Sequence, residues 1–170
     1  MEDKLILVNE QDEEVGTEVK LEVHEKGALH RAFSILVFDS SKKLIIQKRA
    51  EGKYHSGGLW ANTCCSHPRE GEKLDVAIHR RLKEEMGFDC QLEEKFSFIY
   101  EVKLNDLKEH EFDHVFFGNY DGEIEPNPKE VSEIKRVSWS ELSQDVEKNP
   151  DQYAYWFKII VREINQRKFI

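Results

Sequence analysis

Residues 72–88, EKLDVAIHRRLKEEMGF, show the strongest structural pattern in the chain. Apolar residues recur in this stretch at every fourth position, which places them along one stripe of an amphipathic helix: Leu74, Ile78, Leu82 and Met86. Gly87 follows at once and accepts the left-handed backbone conformation that ends many helices. The stretch therefore predicts a helix over residues 72–86 that packs by one face against a core.

Segments typical of β-strands lie on both sides of this helix. They are rich in β-branched and aromatic residues and cover residues 5–8, 15–23, 31–39, 44–48, 60–67, 96–102, 109–120 and 134–139. The segments at residues 31–39 and 44–48, which are separated by the polar turn SSKK, predict a hairpin. Ser140 is expected to cap a short helix, and Asn149-Pro150 to begin a terminal one. We therefore expect an α/β fold, a mixed β-sheet sandwiched between helices, in one domain over residues 1–170.

Composition excludes several classes of protein. A net charge of −9 disfavours non-specific nucleic-acid binding, which depends on cationic surface. No apolar run approaches the roughly 18 residues that span a bilayer, and the start, MEDK, lacks the basic-then-apolar layout of a signal peptide. Three cysteines are an odd number for a disulfide framework. We expect a cytoplasmic protein with no nucleic-acid partner and no membrane partner.

Histidines and glutamates predict a mixed metal site. Glu109 and Glu111 are two residues apart on a predicted strand, so their side chains share a face. Three imidazoles and two carboxylates would complete one ligand set: His24, His30, His67, Glu109 and Glu111. That set suits Mn²⁺, Mg²⁺ or Zn²⁺ at high coordination better than a tetrahedral structural zinc. The alternative is surface histidines beside a solvated acidic strand.

The adjacent cysteines divide between two faces of their predicted strand. Cys65 shares its face with His67, whereas Cys64 points the other way. A disulfide between neighbours would be strained. We expect Cys64 to be buried and Cys65 to be reactive, with the helix that follows His67 lowering the pKa of the nearby thiol. The alternative is two small core residues.

The helix also resembles a Nudix box. The residues that match are Glu72, Arg80, Leu82, Glu84, Glu85, Gly87 and Phe88. The box has one more glutamate where this chain has Arg81, and a glycine where it has Ser66. Glu85 can hold a Mg²⁺ ion that bridges to a substrate phosphate. The alternative is that Glu85 forms only a weak ion pair with Arg81, one turn away.

Four cations lie in or beside these segments, and a diphosphate would need such a group: Lys20, Arg49, Lys53 and Arg81. The alternative is scattered solvating side chains. Trp156 belongs to the aromatic run YAYWF at residues 153–157, whose periodicity is typical of core. Its indole face is nevertheless suited to stabilising a cation.

Three segments resemble the type I isopentenyl-diphosphate Δ-isomerases, a Nudix-fold family that isomerises rather than hydrolyses. They are LHRAFS at residues 29–34, GLWANTCCSHP at 58–68 and EHE at 109–111. The likeness runs from about Lys20 to Trp156. The loop YHSGG, residues 54–58, departs from family versions that have Trp-Pro or Ser-Pro there.

The resemblance implies a role for each candidate residue. Cys65 matches the catalytic cysteine, Glu111 the catalytic glutamate, and Tyr100 a tyrosine beside it. The five His and Glu residues above match the ligands of a tightly held metal, and Glu85 matches the residue that helps hold a second Mg²⁺ on the diphosphate. The four cations match diphosphate contacts, and Trp156 the residue that covers the hydrocarbon.

The reaction implied moves a double bond from C3–C4 to C2–C3 through a tertiary carbocation, in isoprenoid biosynthesis. The substrate is a small allylic or homoallylic diphosphate, and the enzyme is expected to be a monomer or homodimer. Two alternatives stay open: a Nudix hydrolase of a nucleotide or other diphosphate, and a non-catalytic metal- or diphosphate-binding module. Arg81 in a glutamate position counts against the hydrolase, and Cys65 against the module.

Overall fold

The computed structural model describes residues 3–53 and 55–170. Within these residues nine strands form one mixed sheet: β1 (Lys4–Val8), β2 (Glu14–Val19), β3 (His30–Phe38), β4 (Leu44–Arg49), β5 (Trp60–Ala61), β6 (Cys64–Ser66), β7 (Leu92–Leu104), β8 (Leu107–Asn119) and β9 (Val131–Val137). Four α-helices join them: α1 (Lys20–Lys26), α2 (Leu74–Met86), α3 (Trp139–Lys148) and α4 (Tyr155–Arg167).

Strand β3 is the centre of the sheet. One edge pairs in parallel with β8, from His30 opposite Glu111 to Phe38 opposite Asn119. The other edge pairs antiparallel with β1, β6 and β4 in turn. Because β6 and β8 therefore lie on opposite edges of β3, the residues they carry approach the same part of the sheet from two sides.

Alternation along β3 divides the core into two layers. Phe33, Ile35 and Val37 face α2, whose apolar stripe packs on them. Leu36 faces the other way, into a cluster with α3 and α4. The sheet is thus sandwiched between helices, which confirms the expected fold class. No helix in the described part of the chain combines the length and apolarity needed to cross a membrane.

One segment expected as a strand is half helix. Strand β2 ends at Val19, where it pairs with Lys4 at the start of β1. Helix α1 begins at the next residue and closes at Gly27, which adopts a left-handed φ of 69°. The prediction of one strand over residues 15–23 was wrong, and His24 consequently lies on a helix.

The predicted strand over residues 60–67 is interrupted by two polar side chains. Asn62 Nδ2 donates to the carbonyls of Ile35 at 3.2 Å and Cys64 at 2.7 Å. Thr63 Oγ1 donates to the Ile45 carbonyl at 2.6 Å. These bonds satisfy neighbouring backbone without a continuous ladder, and two short strands result.

Helix and strand ends differ from the prediction near the C-terminus. Ser138, not Ser140, caps α3, through reciprocal bonds with Glu141. Asn149-Pro150 leads into a single 3₁₀ turn, Pro150–Gln152, before α4 begins. Gly87 ends α2 as predicted, with φ at 75°. Met1, Glu2 and Tyr54, on which the expectations for the N-terminus and the loop at 54–58 partly rest, lie outside the described residues.

Candidate active site

A cleft with a volume of about 240 Å³ opens beside the first turn of α4, over β3, β6 and β8. Most of the predicted site residues line it: Lys20, Arg49, Lys53, Cys65, His67, Arg81, Glu109, Glu111 and Trp156. They come from three strands, three helices and two loops that are up to 136 positions apart in the sequence, Lys20 to Trp156. The fold therefore brings into one cleft residues that the sequence predicted only as separate groups.

Imidazole and carboxylate groups meet at one end of this cleft. The ligand atoms of His24, His30, His67 and Glu111 all lie within 4.8 Å of one another. Glu111 Oε1 is 2.9 Å from His67 Nε2 and 3.5 Å from His30 Nε2. Glu109, the fifth expected ligand, belongs to an adjoining group with His24 and His55.

Backbone carbonyls orient two of the rings. His24 Nδ1 donates to the Lys20 carbonyl at 2.6 Å, and His30 Nδ1 to the Ala28 carbonyl at 2.9 Å. A carbonyl oxygen only accepts, so Nδ1 carries the hydrogen and Nε2 keeps its lone pair for the cluster. This is the support that metal-binding histidines usually have. His30 Nε2 is buried and has no hydrogen-bond partner among the described residues, as expected of a ligand atom.

Burial and charge put most of these groups in the protonation states that bind metals. Burial lowers the pKa of His67 to about 3 and also lowers that of His24. Burial alone would raise the pKa of Glu111, but the neighbouring His30 and His67 rings outweigh burial and hold the pKa well below its usual range. Burial and the charge of Glu111 raise the pKa of Glu109. The donor set fits a divalent ion.

Tyr100 lies behind the two glutamates. Its hydroxyl is 2.8 Å from Glu111 Oε2 and 3.2 Å from Glu109 Oε2. Burial, together with the charges of Glu111 and Glu109, raises the pKa of Tyr100 well above its usual value. The phenol therefore keeps its hydrogen and donates it to the carboxylates.

The two cysteines lie on opposite sides of the sheet. Cys64 is fully buried in the core against α2, whereas Cys65 lines the cleft. Burial raises the pKa of Cys65 to about 12, although Arg49, whose Nη1 is 3.4 Å from Sγ, opposes the shift. The expected lowering by the following helix was wrong, because desolvation dominates and Cys65 is a neutral thiol at neutral pH.

Cations converge at the other end of the cleft. The pKa of Lys20 is lowered by burial and by the positive charges of Lys53, Arg49 and Arg81. Glu130 partly offsets this charge through ion pairs with Lys53 and, at 3.4 Å, with Arg81. The result is a cationic pocket in which a bound anion would relieve the repulsion between these side chains.

Glu85 lies behind this cationic group and is not among the residues that line the cleft. Its buried carboxylate pairs with Arg81 and accepts from Gln47 Nε2 at 3.1 Å. The ion pair named above as the alternative for Glu85 is therefore formed. Its partner Arg81 faces the cleft, so the pair places Glu85 one side chain away from any bound anion.

Trp156 lines the cleft from the first turn of α4. Its indole Nε1 donates to Asn62 Oδ1 at 3.0 Å. The guanidinium carbon of Arg49 lies 5.1 Å from the ring centre, within the range of a cation–π interaction. The ring is thus held by a hydrogen bond at one edge and presents its face to the positive charge.

His55 and Glu130 are among the residues of the cleft that the sequence pattern did not indicate. Both belong to irregular segments, where no periodicity indicates the direction of a side chain. The only signal was position: His55 follows Lys53 by two residues in a glycine-rich loop, and Glu130 directly precedes β9.

Comparison with known proteins identifies the family. Residues 28–157 match the model of the NUDIX domain. "Isopentenyl-diphosphate Delta-isomerase 2" of Aromatoleum aromaticum is 57% identical over 92% of this chain and 83% of the relative. The protein of the same name from Photorhabdus laumondii is 51% identical over 97% of this chain and 94% of the relative.

Solved structures show the same fold at low sequence identity. DR0079 from Deinococcus radiodurans superposes with a TM-score of 0.79 at 19% identity, over 95% of this chain and 98% of that one. The MutT protein from Methanosarcina mazei gives 0.67 at 14% identity, over 84% and 96%. On the family model and the high-identity relatives together, the chain belongs to the NUDIX family and, within it, to the isopentenyl-diphosphate Delta-isomerases.

Proposed function

We propose that this enzyme converts isopentenyl diphosphate to dimethylallyl diphosphate, as the names of its relatives indicate. The observation that carries the proposal is a neutral thiol and a carboxylate, Cys65 and Glu111, that enter one cleft from opposite edges of β3. A substrate placed between them has a proton-transfer group on each side. Shifting a double bond by one carbon adds one proton and removes another, and this arrangement supplies one group for each transfer.

The cationic group anchors the substrate. Lys20, Arg49, Lys53 and Arg81 bind the diphosphate, with the arginines able to contact two oxygens each. Fixing this end leaves the five-carbon chain to lie between Cys65 and Glu111. Holding the reacting carbons beside both groups removes the entropic cost of bringing them together at each turnover.

The reaction adds one proton to the substrate and removes one from it, so two proton-transfer residues suffice and no proton is gained overall. A proton is added at C4, the C3–C4 π electrons form the new C–H bond, and C3 becomes a tertiary cation. A proton then leaves C2, and its bonding electrons form the C2–C3 double bond. Cys65 carries a proton at neutral pH and Glu111 is ionised. These states suit one group to donate and the other to accept, and Tyr100 holds the carboxylate in place.

The intermediate cation needs protection from water, which would trap it as an alcohol. Trp156 presents its ring to this part of the cleft and stabilises positive charge there. With the side chain packed over the hydrocarbon, water is excluded during the lifetime of the cation.

Two divalent ions complete the proposal. His24, His30, His67, Glu109 and Glu111 hold Mn²⁺, Mg²⁺ or Zn²⁺, which when bound raises the acidity of groups at the site. Glu85, through its place beside Arg81, helps hold a Mg²⁺ that accompanies the diphosphate. NUDIX membership and the His/Glu cluster support the use of a divalent metal.

The test is incubation with isopentenyl diphosphate and Mg²⁺ in D₂O. We expect dimethylallyl diphosphate that carries one deuterium at C4, because the added proton comes from a group that exchanges with solvent. Release of phosphate would instead indicate a hydrolase, and binding without turnover a non-catalytic module. We further propose that the enzyme works in the cytoplasm, without nucleic-acid or membrane partners, as a monomer or homodimer.

A further inference from the structure

We propose that His55 is a further ligand of the metal centre, supplied by the loop that joins β4 to β5. This inference rests on the proposed function, in which the His/Glu cluster holds a metal. His55 is 9% exposed and lines the cleft from the side of Glu109. Its ring centre lies 4.7 Å from that of His24, which is itself a member of the cluster.

The distances match those between ligands of one ion. Two atoms each about 2.1 Å from a common ion are about 3.0 Å apart at a right angle and about 4.2 Å apart on opposite sides. His55 Nε2 lies 3.7 Å from Glu109 Oε1, inside this range. The pair formed by His30 and Glu111, both expected ligands, has a comparable separation of 3.5 Å.

The grouping of the donor atoms also supports His55 as a ligand. Ligand atoms of His24, His55 and Glu109 lie within 4.8 Å of one another, and His24 also belongs to the group around Glu111. Glu109 is thus connected to the rest of the cluster through His24 and His55. With His55 the two overlapping groups contain six residues, the number of ligands in an octahedral site of the kind that Mn²⁺ and Mg²⁺ adopt.

The loop is anchored so that His55 stays in this position. Arg49 Nε donates to the His55 carbonyl at 3.1 Å, while the same guanidinium contacts Cys65. Lys53, two residues earlier, lines the cationic end of the cleft. One short segment therefore connects the metal centre to the residues proposed to bind the diphosphate.

The experiment compares metal retention by the wild type and the His55→Ala and His55→Gln variants, each loaded with Mn²⁺. Release into excess chelator is followed by elemental analysis, and Co²⁺-loaded samples are examined by visible absorption. The Gln variant keeps the bulk of the side chain and tests whether packing alone matters. His79→Ala is the matched control, because His79 is half-exposed on α2 and pairs with Asp89. Circular dichroism of the metal-free proteins verifies that all are folded.

We expect both His55 variants to release Mn²⁺ at least about 10-fold faster than the wild type, as altered metal shells do, and their Co²⁺ spectra to change. Release and spectra equal to those of His79→Ala would overturn the inference, as would a wild type that retains no metal. Isomerisation is measured separately. If the wild type isomerises the substrate but His55→Ala retains its metal, only the assignment of His55 as a ligand is refuted. If metal retention depends on His55 but the wild type does not isomerise the substrate, only the proposed function is refuted.

Discussion

Arg49 Nη1 lies 3.4 Å from Cys65 Sγ, and its positive charge opposes the effect of burial on the pKa of this thiol. The same guanidinium lies against the Trp156 ring. Arg49 thus connects the thiol, the Trp156 ring and the cationic pocket. Its charge stabilises the thiolate form of Cys65 relative to the thiol, and this has a measurable consequence.

Replacing Arg49 by Met should slow alkylation of Cys65 by iodoacetamide, since loss of the charge raises the thiol pKa further and the thiolate is the reactive form. Mass spectrometry of the modified peptides gives the rate. Cys90, which does not contact Arg49 in the described structure, serves as a control within the same sample. An unchanged rate at Cys65 would show that the contact does not influence the thiol.

Cys65→Ala and Cys64→Ala should differ sharply. The first removes the thiol from the cleft and should abolish turnover. The second empties a position in the core against α2, so it should keep most activity and lower the free energy of unfolding by on the order of 1 kcal/mol. Steady-state kinetics and thermal unfolding measure the two effects. Similar losses of activity in both variants would refute a specific role of Cys65.

His67→Ala should lower the metal content of the purified protein, because it removes a donor 2.9 Å from Glu111 Oε1.

Tyr100→Phe should weaken metal binding by roughly 10- to 100-fold, since the phenol orients two proposed ligands from behind. Tyr120→Phe is the matched control, as its hydroxyl donates to the Glu123 carbonyl. Elemental analysis and chelator titration distinguish these cases, and metal affinity equal in both Tyr variants would contradict the assigned role.

Glu130→Gln should tighten the binding of inorganic diphosphate several-fold at low salt. Glu130 now neutralises Lys53 and Arg81, and removing its charge leaves both cations available to the anion. Calorimetry at two salt concentrations measures the change, which should shrink as screening increases. Glu133→Gln, at an exposed position on β9, controls for the change in net charge. Weaker binding in Glu130→Gln would mean that Glu130 chiefly positions the cations.

Acid should destabilise the protein in part through Glu72. Hydrogen bonds from Arg80 lower the pKa of Glu72 below its ordinary 4.5. The folded state therefore binds this proton less readily than the unfolded state, and the stabilisation present at neutral pH is lost as the pH falls through the lowered pKa. Thermal unfolding across this range should show a smaller loss for Glu72→Gln than for the wild type. Parallel curves would exclude a contribution from the pair.

Much of the fold followed from local pattern. The four-residue spacing in α2 and the glycine at its end predicted a helix that the structure contains almost to the residue. The two-residue alternation of a strand likewise predicted that Cys64 and Cys65 point to opposite faces. In both cases the period of the element determines which face a side chain takes. Ends of elements were less predictable, since Asn62 and Thr63 broke a strand through bonds to backbone distant in sequence.

Local sequence patterns were enough to recognise the family, the amphipathic helix and the residue types available for metal, thiol and diphosphate chemistry. The convergence of these residues in one cleft follows from the packing of distant segments. Parallel pairing of β3 with β8 brings His30 opposite Glu111 across 81 positions of sequence, and α1 turns His24 into the same cluster. Tertiary packing also places His55 and Glu130 in the cleft and raises the pKa of Cys65 through burial. Both effects arise from contacts between distant segments, which no local periodicity encodes.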